Sequence, residues 1–316
     1  MSVIAGELFD PLLQAAVDLC WRQWHSVASG ATAEGPARAI IDPEALVLTS
    51  LALAEREPRL AEITNHFMLS LPSVLSVGRM RRLHKEAGHE TSARLGFSAS
   101  LAAYRGGDAR WKTLATNTAP GIPLALQMQD AMKPRFGRPA ALVFRLRMGL
   151  GVGIKADTLA FLIGTGEWAS VREVADAIAW NRVAARRALE DLVVAGFIAS
   201  SEPATWHPTR SRQYRADALR WRDVAQLDNP PARWGYFFER FGFVIRIHDW
   251  LAGPNASQRW DDLQLGTWAQ LWMEKCSSAF RFGEMIPAAP RGTLEEIGAQ
   301  FTRDLEALEQ WMTNEG

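Results

Sequence analysis

The chain has 316 residues, 48% apolar and 22% charged, which is the composition of a globular protein with a substantial core and more chain than one small domain needs. Its 35 basic and 35 acidic residues cancel, so bulk charge neither demands nor excludes a polyanionic partner, and only charge distribution can argue the point. Two cysteines, Cys20 and Cys276, far apart and without cysteine neighbours, exclude a disulfide framework and a cysteine-based zinc site.

The start, MSVIAGELFDP, lacks a basic segment followed by an apolar run, and the most apolar stretch, near Ala45 to Ala54, is too short for a bilayer. A cytoplasmic protein with no membrane partner is expected. Residues 7 to 27 set Leu12, Leu13, Ala16, Val17, Cys20 and Trp24 at helical spacing. Gly30 to Pro36 reads as a linker of small residues. Pro43 suits the first turn of a helix running to about Arg56, and further helices are expected over Leu60 to Leu71 and Val74 to Glu86. Residues 105 to 125, rich in Gly, Thr, Asn and Pro, read as irregular.

Between Ala131 and Ala156 stand six basic residues (Lys133, Arg135, Arg138, Arg145, Arg147, Lys155) and no acid. From Asp217 onward 15 acids oppose 10 bases, so the tail is a poor surface for a polyanion. The tail also holds seven of the 13 tryptophans, with Trp268 and Trp272 on one helix face. Core packing explains them first, and a dimer interface or an aromatic effector pocket second. Three units are expected: a helical N-terminal domain over 1–130, a basic segment with a central domain over 131–216, and an acidic, Trp-rich helical domain over 217–316.

The central unit carries the chemistry. Ala156 to Ile163 reads as a helix with Leu159, Leu162 and Ile163 on one side. Ser170 followed by Glu173 is a capping box opening a helix whose apolar side is Val171, Val174, Ala175 and Ile178. Asn181 is a good N-cap for the next helix, about Arg182 to Ala195. There Ala185, Leu189, Leu192 and Val193 form a buried stripe, with Val183, Ala184 and Arg187 opposite and Arg186 on the flank. Gly196 ends this helix in a left-handed position. Phe197-Ile198 is then a short strand, Ser200 to Arg212 a loop and Gln213-Tyr214-Arg215 the returning strand.

This order, most specifically VREVADAIAWNRVAARRALEDLVVAGFI, resembles the winged helix-turn-helix of bacterial repressors of the MarR and ArsR kind, over about 60 residues. The fold class expected is therefore mainly α, with helical N- and C-terminal regions around a central winged helix-turn-helix. The resemblance implies a sequence-specific regulator of transcription whose partner is double-stranded DNA. Asn181, Arg182, Val183, Ala184, Arg186 and Arg187 would meet bases and phosphates, and Arg210, Arg212 and Arg215 would act from the wing. An arginine fork can bond two acceptors on guanine, a valine or alanine can touch a thymine methyl, and amides at the Asn181 cap can hold a phosphate. A homodimer is expected, joined through the tail or through the first helix at Trp21 and Trp24, and a small-molecule effector is compatible with it. The alternative is a non-catalytic interaction protein whose winged helix contacts another protein, with Arg186 and Arg187 merely solvating a surface helix beside Glu190. Residues 43 to 86 show a fainter version of the same pattern.

No catalytic set emerges. Gly149 to Gly153 lacks the spacing of a phosphate loop and reads as a helix break. His84 and His89, five apart, do not stack on one helix face, so no metal is expected there. Asp261-Asp262 and Glu295-Glu296 read as solvated faces. The expectation is no enzyme, no cofactor and no metal.

Overall fold

The computed structural model describes residues 3–85, 89–104, 109–115, 132–201, 212–225, 232–261, 263–270 and 292–315. The chain is mainly helical: α1 (Ala5–Val27), α2 (Pro43–Ala52), α3 (Pro58–Ser70), α4 (Val77–His84), α5 (His89–Tyr104), α6 (Leu142–Leu150), α7 (Ile154–Thr165), α8 (Val171–Ala177), α9 (Arg182–Val194), α10 (Ala218–Ala225), α11 (Phe237–Leu251) and α12 (Leu294–Glu315). A further helical stretch covers 263–270. The strands are short: β1 (Val3–Ile4), β2 (Ala39–Ile40), β3 (Ala169–Ser170), β4 (Ala199–Ser200), β5 (Gln213–Arg215), β6 (Arg233–Trp234) and β7 (Arg259–Trp260). Among the described residues, no helix is long and apolar enough to cross a membrane.

Two helices are buried on every side, and the others are laid around them. All ten residues of α2 are buried, as are residues Ala156 to Gly164 of α7. A helix apolar all round belongs at the centre of a core. The core around α2 draws on α1, α3, α4 and α5 and equally on α11 and α12. The first and last of the three expected units therefore share one core, and the boundaries near 130 and 217 do not separate independent domains. The cause is long-range: α1 and α12 turn their apolar stripes toward each other, burying Phe9, Leu12 and Ala16 with Phe301, Leu305 and Met312. Helical spacing shows which face is apolar but not what covers it. Backbone pairing closes the same seam, with β1 antiparallel to β7 and β2 parallel to β6.

The second core belongs to α6, α7, α8, α9 and the small sheet, with Ile40 and Trp234 packed against it. The tail tryptophans are largely structural. Trp250, Trp260 and Trp268 meet one another at 5.0–5.2 Å between ring centroids, and Phe9 and Phe301 close around them. Trp272 and Cys276 lie outside the described residues. Trp24, expected at a dimer surface, is fully buried and donates its indole N–H to Ser50 Oγ at 2.9 Å. It faces α2 and has no surface to offer a partner.

The two cores are joined by five buried charges. Arg147 of α6 reaches Glu44 Oε1 of α2 at 2.6 Å and Asp157 Oδ1 of α7 at 2.8 Å. It also bonds the second oxygen of each carboxylate and the Val74 carbonyl. Arg79 of α4 bonds Glu44 Oε2 at 2.5 Å and both oxygens of Asp42, which also caps α2 by accepting from the Ala45 N–H. So Arg147, counted above in a basic segment, is an internal tie and takes no part in the surface charge. Burial alone would raise the Asp157 carboxyl, but Arg147 and Arg79 hold it below the ordinary value. Glu239 on α11 is different. Burial pushes it up to about 8, helped by the Asp42 charge, and its Oε2 has no hydrogen-bond partner among the described residues.

Removing one partner of a buried ion pair strands the other charge and costs about 3–5 kcal/mol. Arg147→Met is expected to lose stability of that order in urea titration, because two carboxylates are left without it. A change under about 1 kcal/mol would show the tie to be incidental. Glu239→Gln tests the opposite case. A carboxyl raised in the fold stabilises below its unfolded value near 4.5 and loses that contribution as pH rises to about 8. The stability gained by Glu239→Gln should therefore grow with pH across that window and then level off.

Candidate nucleic-acid interface

α7, β3, α8, α9, β4 and β5 follow one another in the order of a winged helix, and their sheet has the order β3-β5-β4, antiparallel throughout. Local signals build it. The Ser170 hydroxyl accepts from the Glu173 N–H while the Glu173 carboxylate accepts from the Ser170 N–H at 2.7 Å, so the capping box is closed. Asn181 Oδ1 accepts from the Ala184 N–H at 2.8 Å and starts α9. Gly196, at φ +73°, ends α9, with its N–H on Val193 and the Phe197 N–H on Leu192. That closure uses Gly196 and Phe197, so β4 begins at Ala199, two residues later than the strand expected at Phe197-Ile198; Ile198 is buried beneath it.

The turn between α8 and α9 closes in the same way, but with an alanine in the left-handed position. Ala179 sits at φ +53°, its N–H on Asp176 and the Trp180 N–H on Ala175. Two contacts from outside hold this turn. The Arg82 guanidinium of α4 donates to the Ala179 carbonyl oxygen, and the Trp180 indole donates to Asp157 Oδ2 at 3.0 Å. The buried charge cluster is therefore one hydrogen bond away from the start of α9.

The outward side of α9 carries most of the residues singled out by the resemblance. Asn181, Arg182, Val183, Arg186 and Arg187 are exposed, Val183 to 64%, and Ala184 is half-buried. Arg182 stands 4.0 Å from Asp176, which Arg172 shares at 3.6 Å. Lys155 pairs with Asp191 at 2.8 Å at the far end of the helix. Arg186 and Arg187 make no ion pair or hydrogen bond among the described residues, with Glu190 or otherwise. Asn181 is occupied as a cap, which leaves the first amides of α9 as the free donors there. On the hairpin, Arg212 donates to Ser200 Oγ at 2.8 Å and lies 5.9 Å over the Tyr214 ring. Arg215 sits at the base, 5.5 Å over Trp168 on the neighbouring strand. Arg210 lies outside the described residues.

Arg82 and Trp180 were not among the residues singled out from sequence, since neither contact is local. One signal was present: Glu44 and Asp157 are lone carboxylates inside otherwise apolar helical runs, which marks them as paired inside a core. The break between the two glycine-flanked helices is as expected, with Gly151 at φ +84° between α6 and α7. Among the described residues no group of three His, Cys, Asp or Glu is placed to hold a metal. Comparison with family models, curated proteins and solved structures found no match to this chain.

A left-handed alanine carries a steric cost that glycine escapes. In a helix interior Ala→Gly costs about 0.5–1 kcal/mol. Ala179→Gly is expected to leave the melting temperature unchanged or raise it, whereas a loss of that size would show that the turn does not hold this conformation in solution.

Proposed function

We propose that the protein is a sequence-specific DNA-binding regulator of transcription that reads the major groove with α9. The observation that carries this is the pair Arg186 and Arg187, exposed and uncompensated on a helix whose inner face, caps and preceding turn are all fixed. A guanidinium free of carboxylates keeps its fork available for guanine or phosphate. Val183 stands beside them, exposed and able to meet a thymine methyl. Arg212 at the wing is placed for the backbone. One such helix covers few base pairs, so the reading includes a homodimer with two α9 helices about 34–36 Å apart on successive major grooves. The same exposed valine would serve a protein partner if no duplex is bound.

The experiment is selection of duplexes from a random pool by the parent protein, followed by gel shift with the selected and scrambled sequences. Arg187→Ala should lose about 1–3 kcal/mol of discrimination, roughly 5- to 150-fold, while Arg186→Ala weakens both duplexes alike. The shifted complex should contain two chains. Equal affinity and selectivity in Arg187→Ala and the parent would remove α9 as the reader.

A further inference from the structure

α4 touches the reading unit at its most sensitive place. Its Arg82 holds the Ala179 carbonyl, two residues ahead of the cap that opens α9. The neighbouring Arg81 donates to Thr113 Oγ1 in the short helical turn Ala109–Thr113, which brings Arg110 and Lys112 alongside. Residues 76–85 and 109–115 together contain Arg79, Arg81, Arg82, Lys85, Arg110 and Lys112 and no carboxylate. Arg79 is buried in the charge cluster, and the other five are exposed. Lys85 and Lys112 have no ion pair among the described residues. Elsewhere around α9 the cations are compensated: Lys155 by Asp191, and Arg172 and Arg182 by Asp176. Uncompensated positive charge thus runs from α9 across the turn onto α4 and the 109–113 turn, and not in the other direction.

We propose that this edge is a second phosphate-binding surface, gripping the backbone of the same duplex beside the groove that α9 enters. The inference rests on the proposed DNA-binding function and extends it. Side chains without base-edge geometry position a duplex and carry no sequence information, and each phosphate neutralised releases condensed counterions. The N-terminal part of the chain then does two things at one place: Arg82 fixes the turn, and Lys85 and Lys112 add affinity.

The test is a salt titration of binding, read by fluorescence anisotropy, on a duplex selected by the parent and on its scrambled counterpart. The Lys85→Gln, Lys112→Gln double variant should bind both duplexes more weakly by the same factor. Its slope of log K against log salt should flatten by about 1–2, since each phosphate contact contributes about 0.9. Its preference for the selected sequence and its melting temperature should match the parent's. An unchanged slope in a variant that melts like the parent overturns the second surface and leaves α9 as reader, because Arg187→Ala still loses selectivity. A parent that binds no duplex overturns both, and the two failures are told apart in the first titration.

Discussion

The fork of Arg147 is the contact on which the arrangement turns. α2 and α7 are each surrounded by apolar neighbours, yet each carries one carboxylate, Glu44 and Asp157, and both face the same guanidinium. Neither charge is tolerable in a core by itself. Once Arg147 is between them, the relative position of the two central helices is fixed to hydrogen-bond accuracy, and a sliding contact of leucines is replaced by a specified one. Arg79 extends the tie to α4 and to the cap of α2, and Trp180 extends it to the turn before α9. A buried ion network is weak evidence for stability, but it is a strong device for fixing register.

Seen from the surface, this explains why a reading unit of about 60 residues sits within a much longer chain. The helix-turn-helix is held from behind by a body made of both chain ends, α1 to α5 with α11 and α12. The contacts that cross over are polar and directional: Arg82 on the Ala179 carbonyl, and Trp180 on Asp157. They act on the turn, where a small rotation swings the whole of α9. Binding of anything that shifts α4 or the cluster would therefore be felt at Arg186 and Arg187, because the helix has no independent support at that end.

What was legible in the sequence was local. Ser170 with Glu173, Asn181 and Gly196 mark the ends of α8 and α9 by chemistry that acts over three or four residues, and the structure has each of these caps in place. The outward set on α9 follows from helical periodicity alone. What was not legible was long-range. Spacing shows the apolar stripe of α1 but not that α12 covers it, and it made Trp24 look available when it lies against α2. Counting charge along the chain placed Arg147 with surface bases, since a count does not know which arginine meets a carboxylate 103 residues away. Glu44 and Asp157, isolated in apolar helices, were the clue that some cation must be drawn inward to them.

The claim that α9 occupies a major groove is tested most directly by photocrosslinking. A selected duplex is prepared with 5-iodouracil in place of each thymine in turn, so that the reactive iodine stands where the thymine methyl projects into the major groove. The account predicts crosslinked peptides containing residues 181–187, strongest at Val183, from iodouracils within the selected sequence. Crosslinks confined to other parts of the chain, with a duplex that is nevertheless bound and protected, would contradict it.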